Sequence, residues 1–315
     1  MSNRIVCLGA FPSIQRVLRI DELRVGRVNR VRAVSVGASG KGVNAARAVK
    51  ALGGLPVAIG FSGGESGRRL RRMLREEGIA WRPVLSEALV RTCQTLLDVT
   101  RREATEVVEE ATVPPAPVWE ILTGRYTRLL PGAAGAIISG NLPSGAPTDA
   151  LPAWVRNARD RGLPVIVDTR GPAFLKALAE RPFLVKPNRE ELAFTLQRTL
   201  DTEQSCLEAC RVLRSFGAEW ALVTDGPRTA LLVGPVKAWG VIPPSVDVVN
   251  PIGAGDTLAG ALALALARGE KLPEAARYAF GAAAASCLTE VPGALDPQAV
   301  DALARACNLV KLRAG

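Results

Sequence analysis

The chain contains no histidine. That absence removes the commonest general base at neutral pH, any Ser-His-Asp triad and the imidazole ligands of a catalytic zinc. Proton transfer therefore falls to Asp, Glu, Lys or Tyr. Cysteine offers no substitute, because Cys7, Cys93, Cys206, Cys210, Cys287 and Cys307 are scattered without a C-x-x-C pair, a pattern of buried thiols. Aromatic residues are sparse as well: two tyrosines and five tryptophans give little surface for stacking nucleic-acid bases. No apolar run reaches the roughly 18 residues of a membrane span, and the opening MSNRIVCLGAFPSI has too short an apolar run for a secretory signal. A cytoplasmic protein is expected, with neither membrane nor nucleic acid as partner.

What is present is an ordinary globular composition, 48% hydrophobic and 22% charged over 315 residues, with a net charge of +10. The 33 arginines are dispersed, and only RRLRRMLRE (68–76) is dense. There Leu70, Met73 and Leu74 recur at helical spacing, so the arginines form the solvated face of an amphipathic helix. A general positive field suits small anionic substrates.

Short apolar runs alternate with helical patterns: RIVCLG, PVAIGF, AIISG, PVIVDT, FLVKPN and ALVTDG. Such alternation predicts an α/β fold, a doubly wound and mostly parallel sheet flanked by helices. Two stretches, about 15–36 and 91–112, alternate charged and apolar residues as exposed strands do, with a hairpin around Arg101-Arg102. They predict a small β-sheet lid inserted into a single domain spanning 1–315. PPAP (114–117) marks the return to the core, and no repeat or flexible linker interrupts the chain.

Two glycine-rich turns carry the chemistry. The first, VGASGKGVNAARAVKALGG (36–54), lacks the Ser or Thr that follows lysine in a P-loop. It still offers backbone N–H groups through Gly37, Gly40 and Gly42 before a helix starting near Val43, whose buried stripe is Val43, Ala46, Val49 and Leu52. Gly53-Gly54 ends that helix. An anion site and a plain turn with a solvated lysine both fit.

The second, VDVVNPIGAGDTLAGALALALARG (246–269), reads as a strand, a tight turn at Gly253-Ala254-Gly255, and Asp256 opening a long helix of small residues. Asp256 fits two readings. As an N-cap it would satisfy the helix's own N–H groups; as a base it would take a proton while those groups stabilise phosphoryl charge.

NPIGAGD preceded by GASGKGVN resembles the paired signatures of the ribokinase-like PfkB carbohydrate kinases, in order and separation. SGNLPSG (139–145), IVDTRG with Asp168, LVKPNREE (184–191) and VTDGPRTALL (223–232) resemble further landmarks of that family, so the likeness covers nearly the whole chain. It lies nearest the branch of 1-phosphofructokinase and tagatose-6-phosphate kinase. The resemblance implies in-line phosphoryl transfer from ATP with Mg²⁺, Asp256 as base, and Gly253, Ala254 and Gly255 as an anion hole. It further implies that Gly40, Lys41, Gly42, Asn44 and Arg91 bind the sugar and its existing phosphate, with Gln15, Ser139 and Gly140 on the sugar side. Lys186, Asn188, Thr224, Gly226 and Ala283 would serve the nucleotide, and Glu191 the Mg²⁺ through water. Asn188 also reads as a simple helix N-cap, and Ala283 as plain helix core. A homodimer through the lid is implied too.

The sugar end departs from the family pattern. Phe11 stands where an Asn is usual, and Gln15 where an Asp binds sugar hydroxyls, which exchanges an acceptor-only group for an acceptor and two donors. Ala38-Ser39 replaces a glycine pair, and Thr105-Glu106 lacks the following Gly-Pro. Three functions stay open: a kinase of a hexose phosphate of the fructose 1-phosphate or tagatose 6-phosphate type, a kinase of an unphosphorylated sugar or nucleoside, and a sugar-phosphate-binding protein without turnover. A nicotinamide oxidoreductase is excluded, since no G-x-G-x-x-G follows the first strand.

Overall fold

The computed structural model describes residues 2–312; residues 1 and 313–315 of the expected 1–315 domain lie outside it. From one edge, its main sheet orders the strands Ala80–Trp81, Leu55–Ile59, Arg4–Leu8, Gly135–Ser139, Val165–Asp168, Leu184–Val185 and Trp220–Asp225, all paired in parallel. Arg228–Val233, Ala238–Ile242 and Asn308–Leu312 then extend it antiparallel. All six apolar runs read as strands fall in this sheet.

Those runs are apolar throughout because helices cover both faces of the sheet. Ile5, Cys7, Ile137, Ile166, Leu184 and Leu222 join one core, with the helices Lys41–Ala51, Ala254–Ala267 and Leu272–Cys287. Val6, Leu8, Ile138, Val167, Val185 and Val223 join the other, with Ala116–Leu129, Ala150–Arg159, Pro172–Leu178 and Glu203–Ser215. Side chains alternate with a period of two along a strand. Ser139, Asp168, Lys186 and Thr224, each two residues past a member of the first core, therefore continue that first face at the carboxyl ends of neighbouring strands.

The first helix begins at Lys41, two residues before the expected start, because Gly40 takes the N-cap position. Val43, Ala46, Val49 and Leu52 are buried as expected, and so are the polar Asn44 and Arg47. Gly64–Glu76 buries Leu70 and Leu74 and turns its arginines outward. The segment 246–250 is not a strand: the N–H groups of Val249 and Asn250 both donate to Cys287 O, which pins it to the end of a helix.

A separate four-stranded sheet orders Ala33–Ser39, Ser13–Ile20, Arg91–Asp98 and Glu103–Val108. Its last two strands form the expected hairpin, with Arg102 in the left-handed region. Ser13–Ile20 is mostly buried rather than exposed, and 21–32 is not strand. Five cysteines are buried and Cys287 is half-buried. No helix among the described residues is long and apolar enough to cross a membrane.

The helices Lys41–Ala51 and Ala254–Ala267 cross in backbone contact. A Cβ at Gly260 would stand 2.5 Å from Ala45 O, so the two can approach this closely only without a side chain there. Gly260→Ala is expected to lower stability by about 1–3 kcal/mol in urea denaturation, despite alanine's better helix propensity. An unchanged midpoint would show that the helices part without cost.

Candidate active site

Three helices point their N-termini at the carboxyl ends of the parallel strands: Lys41–Ala51, Arg189–Leu196 and Ala254–Ala267. Open α/β sheets bind ligands at such ends, and unpaired N–H groups there attract anions. The third helix opens from a glycine turn. Gly253, its N-cap, holds φ at 86°, and a Cβ there would stand 2.9 Å from Gly293 N. Only glycine meets both conditions. Ala254 N–H donates to Pro251 O at 3.3 Å, which withdraws it from the expected anion hole. The N–H groups of Gly253, Gly255 and Asp256 have no acceptor among the described residues.

Asp256 is not the helix cap. It occupies the third helical position, and its Oδ2 accepts from Asn44 Nδ2 at 2.8 Å. Asn44 Oδ1 in turn accepts from Ser39 Oγ at 3.2 Å and Arg47 Nη1 at 3.1 Å. The N-cap reading of Asp256 is thus corrected, because a left-handed glycine has taken that place.

Beside it lies a chain of buried ion pairs. Lys41 Nζ meets Glu191 Oε1 at 2.8 Å and Asp168 Oδ1 at 3.1 Å, and Lys186 Nζ meets Asp168 Oδ2 at 3.1 Å. Burial disfavours the Asp168 carboxylate, but Lys186 and Lys41 outweigh it and hold its pKa below the usual range. Burial likewise opposes the Lys41 charge, and Asp168 and Glu191 reverse the outcome, holding the ammonium protonated. Two lysines thus balance two carboxylates. Asp256 remains without a dedicated cation, and burial pushes its pKa up to about 7, with Asp168 adding to the rise and Lys41 opposing it.

Asn188 is the N-cap of Arg189–Leu196 and forms a reciprocal capping box with Glu191. The plain reading of KPN is therefore right about its local geometry. The same box fixes Glu191: Oε2 accepts from Asn188 N at 3.0 Å while Oε1 takes Lys41. Lys186 Nζ would stand 3.4 Å from a Cβ on Gly255, so its ammonium faces the second glycine turn. Thr224 bridges Asn188 at the next strand, and Gly226 follows in a left-handed turn with open space around it.

On the other side, Ser139 is buried and its Oγ has no partner among the described residues; Gly140 beyond it is left-handed and open. Gly42 lies buried at the start of the first helix, behind the N-cap Gly40. Gln15 is buried in the smaller sheet, where its Nε2 donates to Thr95 Oγ1 at 2.7 Å. Arg91 donates from Nη1 to Glu109 O at 3.2 Å, and its Nε is buried without a partner among the described residues. Phe11 packs against Phe61 and Trp119, with ring centroids 5.4 and 5.7 Å apart. Ala283 is buried in the core of the helix Leu272–Cys287. A surface depression of about 450 Å³ elsewhere, lined by Glu270, Glu274, Arg277 and Asp301, contains none of these groups. Convergent chemistry, not volume, identifies the site.

Sequence reading missed the ion-pair partnership of Asp168 with both lysines and the burial of Arg47. The charged Asp168 at the end of the apolar run PVIVD was the available signal for the first.

No cluster of three or more metal-binding side chains occurs among the described residues. Glu191 and Asn188 supply hard oxygen atoms of the kind Mg²⁺ accepts, but Glu191 is already committed to Lys41 and a backbone N–H. The set fits a Mg²⁺ that arrives with phosphate oxygens and its own water, and not a dedicated protein cage.

A large, mostly parallel sheet flanked by helices, with a small separate sheet beside it, is the architecture of the ribokinase-like class. The family model for pfkB family carbohydrate kinases matches residues 2–299, and the chain belongs to that family. It is 31% identical over 306 residues to 1-phosphofructokinase of Escherichia coli (strain K12), covering 97% of this chain and 98% of that one. It is 29% identical to tagatose-6-phosphate kinase of Staphylococcus epidermidis, covering 83% and 85%. Among solved structures, phosphofructokinase-2 from Escherichia coli in complex with fructose-6-phosphate superposes with a TM-score of 0.85 at 27% identity, covering 96% and 98%. The protein is a carbohydrate kinase, 1-phosphofructokinase-like.

The raised pKa has a consequence for stability. Folded Asp256 keeps its proton up to about pH 7, whereas its ordinary value is 3.8. Stability linked to this group is present in full below that ordinary value and is lost as pH rises to the folded pKa. Asp256→Asn is therefore expected to stabilise the chain by about 2–4 kcal/mol at pH 8 and by little at pH 4. Urea denaturation at both values measures this, and an equal effect at the two would contradict the buried charge.

Proposed function

We propose that this protein transfers the terminal phosphoryl group of ATP directly to a hydroxyl of a sugar phosphate, of the fructose 1-phosphate or tagatose 6-phosphate type. One observation carries the reading. Asp256 is held by Asn44 in the first turn of a helix that opens with N–H groups lacking an acceptor among the described residues, so base and anion hole share one turn.

In this reading Asp256 takes the proton of the attacking alcohol, and a pKa near neutrality suits a base that must also release it. The N–H groups of Gly253, Gly255 and Asp256 stabilise charge on the transferring group, with the Lys186 ammonium beside them. Ala254 helps only by shaping the turn. Asn188 and Glu191 would hold Mg²⁺ through its water, and the ion would supply charge neutralisation on the phosphates when bound with ATP. Thr224 and Gly226 border the phosphates, and Ala283 backs the adenine.

The acceptor lies on the other side, against Gly40, Lys41, Gly42, Asn44, Ser139 and Gly140. A buried hydroxyl without a partner costs about 1–3 kcal/mol, so the orphaned Ser139 Oγ favours a ligand there. Arg91, with donors to spare, supports a phosphate on the acceptor. The names of the relatives agree. Gln15 orients sugar hydroxyls while Thr95 holds its amide nitrogen.

We read the chain as one kinase domain, with the smaller sheet, about 15–36 and 91–112, as a lid that excludes water. Val34, Val36 and Val107 are exposed on a single face of that sheet. They support a homodimer joined lid to lid, and a monomer in light scattering would remove that assignment.

ADP release with MgATP over a panel of phosphorylated and free hexoses tests the reaction. Turnover on a phosphohexose is expected, falling about 10²–10⁴-fold in Asp256→Asn. Arg91→Met should raise the KM for the phosphohexose about 10- to 100-fold and leave that for ATP unchanged. Equal use of the free sugar by wild type and Arg91→Met would move the acceptor to an unphosphorylated sugar.

A further inference from the structure

Asn44 can donate to Asp256 only if its carboxamide is held one way round, for a flipped amide would present oxygen to a carboxylate. Arg47 prevents the flip. It lies one turn further along the same helix and is buried. Nε and Nη2 grip the Glu77 carboxylate at 2.7 and 3.0 Å. Nη2 also donates to Ala38 O, and Nη1 to Pro292 O and Asn44 Oδ1. A guanidinium has donors and no acceptor, so the Asn44 atom that faces it must be the oxygen. The amide nitrogen is left for Asp256.

We propose that Arg47 is a positioning residue for the reaction: it locks the Asn44 carboxamide so that Nδ2 always faces Asp256. It also ties that setting to the base of the smaller sheet through Ala38 O and to the loop at Gly253 through Pro292 O. Asn44, Asp256, the end of the lid strand Ala33–Ser39 and the Pro292-Gly293 loop thus meet at one side chain. Glu77, at the end of Gly64–Glu76, is the counter-ion that keeps the fork in place. A lysine would keep the charge but lose the fork, and so release Asn44 to turn.

The role rests on the reading of Asp256 as the base, and the test separates the two. The groups that face Asp256 are Asn44, Lys41, Asp168 and Lys186; replacing Arg47 frees the Asn44 amide to turn and removes none of the three charged groups. The titration of Asp256 is followed by carboxyl ¹³C NMR in the full chain, assigned by the signal that disappears in Asp256→Asn. In Arg47→Lys the midpoint is expected to rise by about one pH unit. Glu77→Gln should move it the same way by less. With the hexose phosphate accepted by the wild type, the acid limb of kcat/KM should follow, while activity at pH 9 returns to within about threefold of wild type.

A midpoint that does not move in Arg47→Lys overturns the positioning role, whatever happens to activity. If Arg47→Lys fails to fold, Glu77→Gln decides in the same way: a raised midpoint supports the role and an unmoved one overturns it. Turnover that survives in Asp256→Asn overturns the base instead and leaves the titration result standing.

Discussion

The site depends on an odd number of buried carboxylates. Asp168 and Glu191 are matched by Lys186 and Lys41 across distances of 2.8 to 3.1 Å. Breaking such a buried pair costs about 3–5 kcal/mol because it strands the remaining charge, so the four groups hold one another in register. Asp256 is the fifth and has only the Asn44 amide. Its high proton affinity comes first from burial, with Asp168 adding to it and Lys41 opposing it. In the proposed reaction the property is useful: a fully matched carboxylate would be too weak a base, and an unsupported one would never ionise.

The sheet brings these groups together by parity. Ser139, Asp168, Lys186 and Thr224 end adjacent strands on one face, and the helices Lys41–Ala51 and Ala254–Ala267 close over that face. Backbone contact at Gly260 sets how near the two helices come. Lys41 and Asp256 therefore reach one site from positions 215 residues apart in the chain, and both arrive on helix heads that present N–H groups without an acceptor among the described residues. A common field results, positive from the helix ends and the lysines, with carboxylates placed inside it.

Much of this was legible in the sequence because it is local. The six apolar runs were readable as buried strands from composition alone, and the glycine turns with their helices followed from short spacing. The hairpin at Arg101-Arg102 was visible as alternation. Other features depend on what packs nearby, which no local window contains. VDVVN has strand-forming residues, yet its N–H groups are taken by Cys287 O. Asp256 looks like a cap until Gly253 adopts a left-handed conformation against Gly293. Arg47 looks like one more surface arginine among many; only tertiary structure reveals Glu77, Ala38 and Pro292 around it. Asn188 shows the opposite case, where a capping box readable from N-x-x-E also carries Glu191 to Lys41.

The two ends of the site are built on different supports, which bears on how this chain departs from its family's pattern. The proposed catalytic end hangs on the main sheet and the buried ion pairs, where one altered charge would disturb several others. The proposed acceptor end hangs on the smaller sheet and on an aromatic group. Phe11 rests on Phe61 and Trp119, and Trp119 stacks on Trp154 at 6.1 Å; the indole of Trp119 donates to Pro114 O. A polar residue at position 11 would leave that cluster short of contacts, so Phe11 has a structural partner set of its own. Gln15 is likewise answered by Thr95 across the strand pair. An Asp in its place would face the Thr95 hydroxyl as an acceptor only, and the donor that Gln15 now offers would be lost. Both changes are therefore matched by their neighbours in this chain. In the proposed reading they adjust the acceptor side, whereas the groups around Asp256 are tied to one another by the ion pairs and have no comparable freedom to change.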